Sequence, residues 1–154
     1  VGSKGNDFLL SGNGNDTLVG GVGRDILLSG QENGSFKIGG TNLYVLQAEA
    51  GVTDINNADL ILNFRSAFDK IGLADGLTVN DIVLENLPNV LITVQFEVPQ
   101  AAGYLFTPDQ LKPTSMVTSG TAIKLRNSGE FIGFVETVTP AQLQNSILNS
   151  MISV

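Results

Sequence analysis

Gly2-Ser3-Lys4-Gly5-Asn6-Asp7-Phe8-Leu9-Leu10, Ser11-Gly12-Asn13-Gly14-Asn15-Asp16-Thr17-Leu18-Val19 and Gly20-Gly21-Val22-Gly23-Arg24-Asp25-Ile26-Leu27-Leu28 follow one another without a gap. In each unit Gly holds position four, Asp position six and Leu position eight, and three registers in succession mark a repeat. Six turn-forming residues followed by a three-residue strand make half of a flattened coil. Two units complete the coil, so units one and three stack on the same side. Parallel strands stack about 4.8 Å apart, which brings the carboxylates of Asp7 and Asp25 close together.

The repeat then decays. Ser29-Gly30-Gln31-Glu32-Asn33-Gly34-Ser35-Phe36-Lys37 keeps the length and the apolar eighth position but has lost both the Gly at four and the Asp at six. A fifth, shortened unit begins at Gly39-Gly40-Thr41-Asn42 and runs into a strand from Leu43 to Leu46. Eleven of the 18 glycines lie in the first 40 residues, so the chain changes character there. Beyond it, Asp59 to Phe64, Ile82 to Glu85, Val90 to Val98, Thr121 to Arg126 and Phe131 to Thr137 read as strands. Thr78 with Asp81, Thr107-Pro108 and Thr139-Pro140 read as helix starts. The last opens a helix carrying Leu143, Ile147 and Met151 at four-residue spacing. The expected fold is mainly β. A short parallel β-roll of nonapeptide repeats (residues 1–46) is followed by a β-rich capping domain (residues 47–154) with a short C-terminal helix.

Two stacked carboxylates repel each other unless a cation lies between them. Glycine lets main-chain carbonyls swing inward and complete an oxygen cage around that cation. Calcium suits such a cage, because it accepts six to eight oxygens in loose geometry, whereas magnesium demands an octahedron. The inward position-eight side chains Leu9, Leu18, Leu27 and Phe36 do not offset the entropy of ordering so many glycine-rich turns. The segment is therefore expected to fold only as the metal binds.

Composition removes much else. The 154 residues include no histidine, cysteine or tryptophan, which excludes disulfides, zinc clusters and imidazole bases. A Ser or Thr nucleophile would need activation without His. Asp54, Glu97, Asp109 and Glu130 show no spacing of a hydrolase pair, and no phosphate-binding loop, nucleophile elbow or dinucleotide fingerprint is present. The expectation is a non-catalytic protein. A net charge of -7 and a pI near 4.3 argue against nucleic acid and anionic lipid and favour cations. No apolar run approaches a membrane span, so membrane insertion is not expected. A chain opening at Val1 without a leader reads as a processed form or a piece of something longer.

The nonapeptide resembles the RTX (repeats-in-toxin) pattern GGxGxDxUx, the calcium-binding parallel β-roll of bacterial proteins exported by type I secretion. The match is close over residues 2–28 and partial to about residue 46. The resemblance implies Ca2+ held by Asp7 with the carbonyls of Gly2 and Lys4, and by Asp25 with those of Gly21 and Gly23. On the opposite edge it implies Asp16, with the carbonyls of Ser11 and Asn13, facing the fourth turn. There Gly34 stands in place of Asp, and Glu32 or Asn33 would have to substitute. Asp25 is also placed opposite the fifth turn, near Asn42. Asp59-Leu60-Ile61-Leu62-Asn63-Phe64, Asp69-Lys70-Ile71-Gly72-Leu73, Leu77 to Ile82 and Gly129 to Val135 are similar to the flank that follows such repeats in cyanobacterial proteins. This similarity implies a cap and an uncleaved export signal. Residues 87–113 fit no pattern and read as an insertion.

Three bland readings stand beside these. The repeat aspartates could be mere turn formers. Asp59 and Asp69 are expected as strand-end caps or partners of Arg65 or Lys70, with a further calcium site as the alternative. The outward residues of the odd strands, Phe8, Leu10, Ile26 and Leu28, form an apolar face to be covered by residues 47–154 or by another molecule. The N-terminal coil also presents an open sheet edge. The expected function is an extracellular or cell-surface, calcium-binding structural module that folds after secretion. The alternative is a surface-layer, sheath or filament subunit, a homo-oligomer or polymer joined through the open end and the apolar face, aided by the stretch from Val98 to Leu111, whose one charged residue is Asp109.

Overall fold

The structure is a computed structural model and describes residues 1–29, 40–94 and 114–153. Its strands are β1 (Phe8–Leu10), β2 (Thr17–Val19), β3 (Ile26–Leu28), β4 (Leu43–Leu46), β5 (Asp59–Leu62), β6 (Lys70–Leu73), β7 (Ile82–Val94), β8 (Thr114–Leu125), β9 (Phe131–Glu136) and β10 (Ile147–Met151). One α-helix, α1 (Pro140–Gln144), precedes β10. The strands form two sheets, in the orders β1-β3-β5-β9-β8-β7 and β10-β6-β4-β2. All pairs from β1 through β9 in the first and throughout the second are parallel. The chain is mainly β, and its parallel strands alternate between two stacks as a β-roll requires.

Turn chemistry explains the glycine spacing. The position-four residues Gly5, Gly14 and Gly23 take φ of 114°, 105° and 121°, a region that side-chain-bearing residues avoid. The strand that follows each turn sends its middle residue inward. In register, Leu9, Leu27, Ile61 and Val135 form one inner column, and Leu18, Tyr44, Ile71 and Ile147 face them from the other sheet. Each such side chain stabilises the fold by about 1.5–3 kcal/mol on full burial. The columns continue without interruption past residue 46, because β3 pairs with β5 and β4 with β6.

Several expectations change. The strand beside β2 is β4, with Tyr44 opposite Leu18; the expected fourth unit lies, beyond Ser29, outside the described residues, with Gly34, Glu32, Asn33 and Phe36. β4 therefore belongs to the even stack, not to the odd stack that a fifth unit would join. The strands expected at 82–85 and 90–98 are one strand as far as Val94, with a register shift between Leu87 and Val90, where Pro88 can donate no ladder hydrogen bond. The capping box Thr139/Gln142 is present, but its helix ends at Gln144. Ile147 and Met151 lie in β10 instead, since a spacing of four satisfies the two-residue period of a strand as well as the turn of a helix. Thr78 and Asp81 form the other expected capping box, on a single 3-10 turn. Thr107-Pro108 falls outside the described residues.

The apolar outer face of the odd strands is covered largely from within. Ile26 and Leu60 pack with Ile92, Val94, Ala122 and Phe134, as the far end of β7 folds across the sheet. Asn56 fixes it there, donating from its side-chain amide to the Leu91 carbonyl (3.1 Å) and accepting from the Thr93 N–H (3.0 Å). Phe8 and Leu10 on the edge strand β1 lie beyond this cover and remain 45% and 59% exposed.

Candidate metal centre

The turns that feed the odd strands (residues 2–7, 20–25 and 47–58) line one rim of the roll. Those that feed β2, β4 and β6 line the other. Along the odd rim the position-six residues form a ladder. The Asp7 N–H donates to Asp25 Oδ1 (2.8 Å), and the Asp25 N–H donates to Asp59 Oδ1 (2.9 Å). Asp59, which begins β5, is thus the position-six residue of the third odd turn. Asp25 therefore meets Asp7 on one side and Asp59 on the other, and not Asn42. A second ladder runs beside the first, in which Asn6 Oδ1 accepts the Arg24 N–H (3.0 Å).

The structure brings Asp7 and Asp25 together as the repeat predicts. Turns 2–7 and 20–25 touch through main-chain oxygens. The Ser3 and Gly5 carbonyls lie against Gly21 and Gly23, where a Cβ would strike them, and the Gly20 carbonyl lies against Gly2. Val22 O accepts the Gly5 N–H (2.8 Å), and Ser3 O accepts the Val22 N–H (3.3 Å). The oxygens between the turns are thus those of Ser3, Gly5, Gly20 and Val22, each adjacent in sequence to one of the expected four. A carbonyl has a second lone pair left after one hydrogen bond.

The carboxylates themselves fit a cation. Asp25 is fully buried, and among the described residues its Oδ2 has no hydrogen-bond partner. A Cβ on Gly20 would collide with that carboxylate, and one on Gly2 with Gly20 O and the Asp7 carboxylate, so glycine at position one clears the space. Burial pushes Asp25 up to about 6; the like charges of Asp7 and Glu49 add to the rise, and the Asp7 N–H opposes it. Burial also holds Asp59 well above the ordinary carboxylate range, with Asp25 and Glu49 adding to the rise and Arg24 opposing it. A buried anion short of donors is what a cation would correct. Among the described residues no three acidic side chains converge on one point, so any ion here needs main-chain oxygen as well.

The even rim is built differently. The Asp16 N–H donates to Asn42 Oδ1 (3.1 Å), and the Asn42 N–H to Asp69 Oδ1 (3.1 Å). Asn15 repeats the role of Asn6 by accepting the Thr41 N–H (2.7 Å). Asp16 is partly buried, and its Oδ2 lacks a hydrogen-bond partner among the described residues. Ser11 is buried and Asn13 exposed, and Asp16 faces Asn42 where the fourth turn was expected. Asp69 is fully buried and well supplied. Arg65 donates to it from Nη2 (2.7 Å), Nε (3.1 Å) and its own N–H (2.9 Å). The guanidinium also reaches the Gly40 carbonyl. Of the two partners weighed for Asp69, Arg65 is the one in place.

The residues missed in the sequence are Glu49, whose Oε1 accepts the Gly23 N–H (2.6 Å), and the ladder role of Asp59. The signal for Asp59 was available. Asp59-Leu60-Ile61-Leu62 and Asp69-Lys70-Ile71-Gly72 keep the Asp-x-apolar-x half of the nonapeptide after the glycine half is lost. Nothing around Glu49 announces its position.

Stacked parallel strands, with aspartate and glycine at fixed positions of the three repeat turns, fit a β-roll. Comparison with known families agrees: residues 1–35 match the RTX calcium-binding nonapeptide repeat, in four copies. RTX nonapeptide repeats bind Ca2+, and residues 1–35 are similar to that repeat. A search of curated proteins finds no match to the chain.

Proposed function

We propose that one calcium ion lies between turns 2–7 and 20–25, held by the carboxylates of Asp7 and Asp25 and by carbonyls of the same turns. Gly2, Lys4, Gly21 and Gly23 are the carbonyls that the resemblance implies, and the contacts between the turns favour their neighbours Ser3, Gly5, Gly20 and Val22. The observation that carries the reading is the buried, unpartnered Oδ2 of Asp25 beside a glycine with no room for a Cβ. A weaker site at Asp16, with Ser11 and Asn13, draws on the same argument. In this reading residues 1–46 are the calcium-responsive part, and residues 47–154 cap the roll and template its growth. The protein acts outside the cell. Scarce calcium before export leaves the repeats unfolded, and abundant calcium afterwards folds them, which couples binding to folding. No catalytic role is assigned.

Circular dichroism with calcium and with chelator tests this reading. The wild-type chain should gain β structure on adding calcium, and the Asp7→Ala/Asp25→Ala double variant should not. Identical spectra for the wild type in both conditions would contradict it. A second reading, a self-assembling surface or filament subunit, is favoured by the exposed Phe8 and Leu10 on the open edge strand β1. Light scattering in calcium distinguishes the two: particles larger than a monomer support assembly, and a monomer in both conditions removes it.

A further inference from the structure

A cleft of about 440 Å³ opens beside the odd rim where four segments meet: turns 2–7 and 20–25, the connection 47–58 and the far end of β7. That volume lies within the range of about 300–1,000 Å³ typical of small-molecule sites, but the wall is polar. Asn6, Arg24, Glu49, Asn57 and Thr93 line it, and among the described residues Val52 is its one apolar side chain. Arg24 is half-buried with its Nε shielded from solvent, and among the described residues its guanidinium makes neither a hydrogen bond nor an ion pair. Burial lowers its pKa, and the charge of Asp59 opposes that shift from beyond ion-pair distance. A desolvated guanidinium with unused donors is unfavourable until acceptors reach it. Glu49 lines the same cleft and gives one oxygen to the Gly23 N–H. No ion pair joins it to Arg24, so two opposite charges share the cleft without neutralising each other. The Asn57 side chain likewise makes no hydrogen bond among the described residues, and Asn56 fixes Thr93 in place.

We propose that this cleft binds a small zwitterion of the amino-acid or short-peptide type, with its carboxylate on Arg24 and its ammonium on Glu49. A guanidinium presents its donors in a fixed fork that matches the two oxygens of a carboxylate. A simple anion would meet Glu49 as a like charge, and a simple cation would meet Arg24 in the same way. A ligand carrying both charges satisfies the pair. The amides of Asn6 and Asn57 and the hydroxyl of Thr93 supply donors and acceptors for its polar remainder. One apolar side chain in the wall gives little to a ligand held by hydrophobic burial. Asn6 and Arg24 both occupy position five of their units, which the repeat leaves free. The cleft is therefore particular to this chain, and it requires only that the turns be folded.

Saturation-transfer NMR on the full chain in calcium buffer tests this, with the standard amino acids and dialanine as probes. At least one probe is expected to show transfer. Its carboxamide and its N-acetyl derivative, which each remove one charge, should bind about tenfold more weakly or worse. Arg24→Gln and Glu49→Gln should weaken the same probe by a similar factor. Glu49→Gln keeps an oxygen for the Gly23 N–H, and far-UV circular dichroism checks that each variant is folded. No transfer from any probe to the folded wild-type chain would overturn the proposal. So would equal binding of the N-acetyl derivative, or undiminished binding to both variants. Folding on calcium without binding of any probe would strike this site alone and leave the calcium reading standing.

Discussion

The two rims of the roll solve one electrostatic problem in two ways. Both carry a ladder in which each position-six side chain accepts the N–H of the turn before it. On the even rim Asp69 takes four hydrogen bonds, three of them from Arg65, whose guanidinium also binds a turn carbonyl. Arg65 thus sits among a carboxylate and a main-chain oxygen, as a metal ion would. On the odd rim Asp25 and Asp59 take one hydrogen bond each, and no guanidinium donates to either among the described residues. One rim carries its own cation, and the other is left for calcium. The Arg65–Asp69 part of the even rim should therefore hold in any buffer, and the repeat turns should depend on the ion.

The largest effect is expected at Arg65. Arg65→Ala strands a fully buried carboxylate and should cost about 3–5 kcal/mol, equally in calcium and in chelator, as read by urea unfolding. A calcium-dependent loss would break the distinction between the rims. Asp25→Asn should act with opposite signs in the two conditions. In chelator it removes a buried charge and should stabilise the fold by about 1–3 kcal/mol; in calcium it should abolish the stabilisation gained from the ion.

The same group sets the pH dependence. Asp25 rises from 3.8 to about 6 in the folded chain, so between those values the folded state binds more protons than the unfolded one. In chelator this contribution favours folding at low pH, is lost as pH rises through that window, and is constant above about 6. Asp59 shifts in the same direction. Circular dichroism across the window should show the trend in chelator, as a larger folded fraction of the repeats at the low-pH end. Bound calcium should invert it, because the ion requires ionised carboxylates and is released as they take up protons at low pH. Away from both rims, Thr139→Ala removes the helix cap and should cost about 1 kcal/mol regardless of calcium. The smallest change is expected for Leu10→Ser on the exposed edge, within about 0.5 kcal/mol for the monomer.

Much of the odd rim is legible in the sequence, because a strict nine-residue period translates into strand stacking with no further information. Asp7 above Asp25, glycine at each left-handed turn and leucine in the inner column all follow from it. The even rim is less legible. Its ladder passes from Asp16 to Asn42 across residues that break the period, and only three-dimensional pairing shows that Tyr44 sits beside Leu18. Asp69 with Arg65 is readable as a local pair four residues apart, but its equivalence to a repeat position is not. The sequence pattern extends the helix beyond Gln144 because Leu143, Ile147 and Met151 satisfy both helical and strand spacing. Long-range burial, not local propensity, decides between them: β10 completes the sheet beside β6.

A crystal structure in millimolar calcium, with anomalous scattering used to locate the ion, tests the central claim most directly. The account predicts an anomalous peak between turns 2–7 and 20–25, in contact with Asp7 and Asp25, and none beside Arg65 and Asp69. A map with only water, or no feature, between those first two carboxylates would contradict it.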